Sequence, residues 1–168
     1  DLQVVTQGLH KGTELSEEEA DRIRDLSVST KAYHAAIRFL SYRMRSEHEM
    51  SQYLKRKGHE EHIEEVMERL RTEKYIDDAD FALRWVAMRQ LEGKSPRIIG
   101  IELLKKGIQK DFIDSALEGY ESDDRLDSLK RALDKQRATS RPLEKVIQSL
   151  QRKGWSYGDI KSILDNEE

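Results

Sequence analysis

A short phrase occurs three times in this sequence and limits the kinds of fold that the chain can adopt. Each copy contains a leucine, a variable residue, two basic residues and a glycine, at positions 54–58, 103–107 and 150–154. The glycines, Gly58, Gly107 and Gly154, lie 49 and 47 residues apart. A period of this length indicates tandem structural repeats, each of them one small packing unit.

The match between the three copies continues upstream of the glycines. Residues 4, 8, 21, 22 and 25 positions before each glycine are apolar in all three copies. In chain order they are Tyr33, Ala36, Ile37, Met50 and Leu54; Ala82, Trp85, Val86, Ile99 and Leu103; Leu129, Ala132, Leu133, Val146 and Leu150. Since these spacings place side chains on one face of a helix, each copy predicts one helix upstream and a second that ends at the glycine.

Helix start and stop signals agree with this interpretation. The start signals are Ser46 with Glu49 as a capping box, Ser95 before Pro96, and Ser140 just before Pro142. The glycines suit the left-handed residue that ends a helix. Third helices are then expected at about 60–73, 111–120 and 157–165.

The sequence therefore predicts an all-α protein, an elongated array of three tandem three-helix repeats preceded by a short acidic helix from Ser16 to about Leu26. The predicted divisions are an acidic segment over 1–28 and repeats over 29–78, 79–122 and 123–168. A composition of 38% charged and 36% hydrophobic residues suits small units that bury one stripe each. Because the chain begins with Asp1, we expect that further residues precede it in the full-length protein.

Charge and composition exclude several classes of protein. The net charge is −3, and residues 1–28 hold three bases and seven acids, which leaves 27 bases and 26 acids in the body. This balance argues against a polycation that coats nucleic acid indiscriminately. The chain has no cysteine, which excludes disulfides and cysteine-based zinc sites. It also has no apolar run of about 18 residues, so we expect no membrane span.

No catalytic, metal or cofactor site is predicted. The chain has no glycine-rich phosphate loop and no cysteine nucleophile. His59 and His62 lie three residues apart but lack a specified acidic partner, so solvated surface histidines are the favoured interpretation. Asp77, Asp78 and Asp80 suggest magnesium, but their position before a predicted helix at 79–91 favours an N-cap and first-turn acids.

Basic residues recur in register and are the candidate contacts with a partner. They lie 1, 2 and 13 positions before each glycine, with Arg43 and Arg97 beside them: Arg56, Lys57, Lys105, Lys106, Arg152 and Lys153 in the phrases, and Arg45, Lys94 and Arg141 upstream. Cations at a helix C-terminus complement the macrodipole, which explains the first six without any ligand. It does not explain the last three, which precede a helix N-terminus. We therefore predict that Arg45, Lys94 and Arg141 face a common surface that receives phosphates or carboxylates.

Three further phrases resemble the signatures of the RecX family. They are Leu40-Ser41-Tyr42-Arg43-Met44-Arg45-Ser46, Tyr75-Ile76-Asp77-Asp78 followed by Phe81-Ala82, and Glu102-Leu103-Leu104-Lys105-Lys106-Gly107-Ile108. The resemblance covers roughly residues 30–168. It implies a non-enzymatic, cytoplasmic bacterial regulator that acts in DNA recombination, repair and the SOS response. Such a regulator binds the RecA–DNA filament and inhibits strand exchange, ATP hydrolysis and co-protease activity.

Two alternatives remain beside this resemblance. Three-helix units are similar to helix-turn-helix modules, so a DNA-binding regulator is possible, although no base-reading set of Asn, Gln and Arg recurs in register. A helical repeat scaffold for a protein partner would instead favour a groove of apolar or Asn-type positions. The expected partners are the RecA filament and DNA itself, and we expect the chain to be a monomer.

Overall fold

The computed structural model describes residues 16–121, 124–138 and 141–165, and the regular secondary structure of these ranges is helical throughout. The helices are α1 (Glu17–Leu40), α2 (Glu47–Arg56), α3 (Ile63–Thr72), α4 (Asp78–Leu91), α5 (Pro96–Lys105), α6 (Lys110–Glu121), α7 (Asp124–Arg137), α8 (Leu143–Arg152) and α9 (Tyr157–Asp165). A 3-10 turn, Glu60–His62, leads into α3. The prediction of an all-α protein is confirmed.

The sequence predicted a separate short helix in the N-terminal acidic segment. In the structure this segment is the first part of the longer helix α1. Ser16 forms a capping box with Glu19 and begins a helix of 24 residues. No glycine or proline lies between Ser16 and Leu40, so no residue in this stretch forces the helix to end. The predicted division between residues 28 and 29 therefore falls inside a continuous helix.

Three groups of helices, α1–α3, α4–α6 and α7–α9, each enclose an apolar cluster, and we call these groups units 1, 2 and 3. Of the fifteen apolar residues aligned in the sequence, Tyr33 and Ile37 are partly buried and the other thirteen are buried. The repeated apolar register therefore marks the cores of the units. None of the helices in the described ranges is both long and apolar enough to cross a bilayer.

The predicted helix signals are confirmed where the structure describes them. Ser46 forms its capping box with Glu49, and Ser95 caps α5, in which Pro96 is the first residue. Ser140 lies outside the described residues, and α8 begins after Pro142. The glycines of the three phrases have φ values of +78°, +78° and +90°. In each phrase the N–H after the glycine donates to the carbonyl of the leucine, at 3.1 to 3.2 Å, as in a Schellman motif.

The same phrases join successive units. Ser46 Oγ of unit 1 donates to the carbonyl of Lys106 in unit 2 at 2.6 Å, and the Ser95 N–H of unit 2 donates to the carbonyl of Lys153 in unit 3 at 2.9 Å. The end of the second helix in one unit thus lies against the start of the second helix in the preceding unit. We call the contact between units 1 and 2 the first joint and the contact between units 2 and 3 the second joint. At the second joint, the indole N–H of Trp155 also donates to the Gly93 carbonyl at 2.9 Å.

Candidate partner-binding surface

The bases two positions before each glycine point outward in all three units. Arg56, Lys105 and Arg152 are exposed, and none of them has a carboxylate within salt-bridge distance in the part of the chain that the structure describes. Since each is the last residue of its helix, the macrodipole favours the charge. These three side chains are also free to meet an anionic partner, and we call them the outer bases.

The bases one position before each glycine differ from unit to unit. Lys57 is exposed, with its ammonium 5.9 Å from the centre of the Tyr53 ring. Lys106 and Lys153 are instead half-buried at the joints between units. The Lys106 ammonium lies 3.1 Å from Glu49 of unit 1 and 4.2 Å from the centre of the Trp85 ring. The Lys153 ammonium donates to the backbone carbonyl of Glu92 of unit 2 at 2.5 Å.

Glu49 is the centre of the first joint. Its carboxylate accepts from Arg43 at 2.9 Å and from Lys106 at 3.1 Å, and it also completes the capping box at Ser46. Burial alone would raise the pKa of Glu49, but the bonds from Arg43 and Lys106 outweigh it and hold the pKa at about 2. Arg43 and Lys106 are therefore already paired within the protein.

The bases thirteen positions before each glycine do not share one environment. The guanidinium of Arg45 lies 3.7 Å from the centre of the Phe39 ring, and its Nε is buried without a hydrogen-bond partner. The Lys94 ammonium lies 2.5 Å from Glu102. Of these three bases, only Arg141 is exposed and without a carboxylate partner among the described residues. A base before a helix start can therefore serve the unit itself, and a shared ligand surface for these three remains a prediction.

Arg97 lines a groove between units 2 and 3. The groove has a volume of about 870 Å³ and includes Ile101, Leu104 and Trp155 in its lining. Arg97 and Leu104 are exposed on its border. Arg97, like the outer bases, is an exposed cation that has no carboxylate partner among the described residues.

The acidic cluster has structural partners. Asp77 caps α4 by accepting from the N–H groups of Ala79 and Asp80 at 2.8 and 3.0 Å, as its position predicts. Asp78 accepts the N–H of Glu47 across the first joint at 2.9 Å, and burial raises the pKa of Asp78. Asp80 pairs with Arg84 at 2.8 Å. The described ranges hold no group of three or more metal-ligating side chains.

The histidines do not lie alike. The sequence interpretation placed both on the surface, whereas His62 is buried at the contact between the 3-10 turn and α1, with its Nε2 3.6 Å from Asp25. Its burial follows from the continuation of α1, because the acidic part of that helix passes over the turn. His59 is partly buried just before the turn.

The sequence analysis did not identify the carboxylates that pair with Lys94 and Lys106, which are Glu102 and Glu49. Glu102 accepts from the Trp85 indole at 3.1 Å and from Arg89 at 2.9 Å, in addition to its ion pair with Lys94. Glu49 was identified only as a capping residue. The repeat register held no signal for them, because Glu49 and Glu102 lie nine and five positions before their glycines and neither position is acidic in the other two copies.

The described residues thus define a class of protein, a chain of three-helix domains whose bases are divided between the joints and the outer surface. Residues 32–70 match the family model for the first three-helix domain of RecX, and residues 77–117 match the model for its second three-helix domain. The chain belongs to the RecX family. The matched ranges correspond to units 1 and 2.

Relatives extend the likeness across nearly the whole chain. A regulatory protein RecX of Oceanobacillus iheyensis is 36% identical over 93% of this chain and 60% of its own length. One from a Geobacillus species is 36% identical over 95% of this chain and 62% of its own length. The chain thus spans about three fifths of the length of these relatives.

Two solved structures have the same fold. A crystal structure of regulatory protein RecX matches with a TM-score of 0.75 and 32% identity, over 97% of this chain and 85% of that one. The structure of RecX from Lactobacillus salivarius matches with a TM-score of 0.68 and 28% identity, over 84% of this chain and 97% of that one. The arrangement of helices is therefore that of RecX proteins.

Proposed function

We propose that this chain is a non-enzymatic, cytoplasmic regulator that binds the RecA–DNA filament as a monomer and inhibits strand exchange, ATP hydrolysis and co-protease activity. The observation that carries the proposal is its similarity to regulatory proteins RecX over more than nine tenths of its residues. The repeated units support it, because an array of similar surfaces suits a partner that is itself a repeating filament.

The outer bases are the contacts that we favour within this proposal. Arg56, Lys105 and Arg152 occupy the same register position in successive units and are exposed. Lys57, Arg97 and Arg141 are also exposed and have no carboxylate partner in the described ranges. Arg43, Lys94, Lys106 and Lys153 are less suited to this role, since their charged groups already bind acceptors within or between the units.

Co-sedimentation tests the proposed binding directly. The chain is mixed with preformed RecA filaments on single-stranded DNA, and in parallel with the same DNA alone, and the pelleted fraction is measured. We expect the chain to pellet with the filament and much less with naked DNA. Equal pelleting with both would favour the DNA-binding alternative, and absence from the filament pellet would contradict the proposal.

A variant identifies the surface. Replacement of Arg56, Lys105 and Arg152 with Glu reverses three exposed charges and should release the chain from the filament at a lower salt concentration than the wild type. The matched control replaces the exposed lysines Lys31, Lys130 and Lys161 with Glu, which changes the net charge equally. If both variants lose binding to the same extent, net charge matters and the outer bases have no specific role.

A further inference from the structure

The joint between units 2 and 3 contains a pocket in which basic side chains outnumber acidic ones. The pocket has a volume of about 590 Å³ and lies between the end of α4 and helices α7 and α8. Four of its lining side chains are basic, Arg131, Lys135, Arg141 and Lys153. Its single acidic residue is Glu92, whose carboxylate is bound to Arg89 at 2.8 Å.

None of the four cations has a carboxylate within salt-bridge distance among the described residues. Arg131 donates to the hydroxyl of Ser128 at 3.3 Å, and Lys153 donates to a backbone carbonyl. Burial lowers the pKa of Lys153, and the neighbouring charges of Lys135 and Lys94 lower it further, while the charge of Glu92 opposes the shift without cancelling it. The cations of the pocket therefore repel one another, and an anion bound among them would relieve that repulsion.

Comparison with unit 2 shows that this excess of charge is particular to unit 3. Counted from the glycine of each phrase, Arg131, Arg141 and Lys153 correspond to Arg84, Lys94 and Lys106. Each of those three has a carboxylate: Asp80 at 2.8 Å, Glu102 at 2.5 Å and Glu49 at 3.1 Å.

The missing acids can be identified by the same register. The position of Glu102 is occupied in unit 3 by Ser149, which lines the pocket, and the position of Glu49 is occupied in unit 2 by Ile98. Lys135 replaces the neutral Met88. In the opposite sense, Glu92 occupies in unit 2 the position of Arg43 in unit 1, so these four exchanges together leave the second joint one positive charge above the first.

The pocket also has an apolar side. Leu91, in the last turn of α4, lines it and is 85% exposed. An exposed leucine beside a group of cations matches a ligand that carries carboxylates next to an apolar side chain. A nucleic-acid backbone would supply phosphates but no apolar group to pack against Leu91. Its phosphates are also spaced along the strand, so it favours cations that are spread out over cations in one pocket.

We propose that this pocket binds an acidic segment of a partner protein, with an apolar side chain of that segment against Leu91 and its carboxylates among Lys135, Arg141 and Lys153. The proposal concerns the chain by itself and would stand even if the partner were not a recombinase.

Fluorescence anisotropy with a labelled peptide of alternating Glu and Leu tests it, with the chain as the only protein present. We expect saturable binding, and no binding of the same peptide with Gln in place of Glu. Lys135→Met should weaken binding about tenfold, while Lys130→Met, elsewhere on the same helix, should not. Leu91→Ser should weaken binding as well, while Leu83→Ser, also exposed on α4, should leave it unchanged.

Ser149→Glu provides a test in the opposite direction. It restores the acid that unit 2 has in Glu102, so it should abolish peptide binding and raise the melting temperature. Melting curves show which variants are folded. Absence of peptide binding by the wild type would overturn the proposal. So would an oligothymidylate that binds more tightly than the peptide and is insensitive to Leu91→Ser, which would make the pocket a phosphate site.

Discussion

At the scale of single residues, repetition in sequence did not mean repetition of role. Lys57, Lys106 and Lys153 share one register position, but within the described residues only the last two have a preceding unit to pack against. Lys57 belongs to the first unit and stays exposed, whereas Lys106 and Lys153 bind acceptors across a joint. The position of a unit in the array decides what its lysine does.

The glycines of the phrases should differ in the same way. All three have positive φ, so replacement with Ala should cost about 1 kcal/mol of backbone strain at each. At Gly154 an added Cβ would also clash with Ile98 and Ser95, and at Gly107 with His48, whereas at Gly58 it would meet nothing. We expect Gly107→Ala and Gly154→Ala to lower the free energy of unfolding by a further ~1–3 kcal/mol.

Chemical denaturation of the three variants measures this difference, and Gly58→Ala is the matched control because it has the strain without the clash. Equal losses at all three positions would show that the glycines serve only to end helices, and that the close approach at the joints has no energetic weight.

The ion pair at Glu49 should make the first joint sensitive to acid. The pKa of Glu49 is about 2 in the folded chain, below the ordinary value of 4.5. A depressed carboxyl pKa contributes stability above the unfolded value, and the contribution is lost as the pH falls through the folded one. The melting temperature of the wild type should exceed that of Glu49→Gln at pH 7, and the gap should narrow as the pH falls from about 4.5 toward 2.

Melting curves of the two proteins across this range check the prediction. Because all other titrating groups are the same in the two proteins, their effects cancel to a first approximation in the difference between the two melting temperatures. A gap that stays constant down to pH 2.5 or so would mean that the Glu49 carboxylate is not held in its charged form by Arg43 and Lys106.

At the scale of elements, the sequence predicted most helix starts and ends because these depend on local chemistry. The capping box at Ser46, the Ser95-Pro96 start and the three glycine ends are each determined by a few neighbouring residues. The predicted helix end near Leu26 was wrong, because the composition changes there without any residue that breaks a helix, and α1 continues to Leu40. The partners across the joints, such as Glu49 for Lys106, were missed because packing between units has no local signal.

The two halves of α1 should contribute unequally to stability. Its buried residues are Ser29, Ala32 and Ala36, all in the second half. Lys31→Pro should therefore destabilise unit 1 by about 3 kcal/mol, since it breaks the helix where it packs. Arg24→Pro should remove helical signal in circular dichroism but lower the melting temperature less, because no residue in the first half of α1 is buried, although Asp25 lies 3.6 Å from the buried His62. Equal losses would mean that the acidic half packs against unit 1 as firmly as the second half does.

At the scale of the whole molecule, contacts at the two joints connect the three units, each of which has its own small apolar core. The hydrogen bonds between units link unit 1 to unit 2 and unit 2 to unit 3, so each unit depends on its neighbour, as in other repeat proteins. The fold and the family could be predicted from the sequence because repeats and phrases are local patterns. The partner surface could be predicted only as a set of bases, and the structure divides that set into the bases that hold the joints and those that are exposed.

The proposed regulation of a recombinase through the outer bases can be measured as the effect of this chain on RecA-catalysed ATP hydrolysis on single-stranded DNA. The rate is measured as increasing amounts of the chain are added, with the chain alone as a control for hydrolysis of its own. We expect the wild type and the Lys31, Lys130 and Lys161 to Glu control to inhibit alike. The Arg56, Lys105 and Arg152 to Glu variant should inhibit only weakly. A folded wild-type chain that leaves the rate of hydrolysis unchanged at every concentration would contradict the proposed function.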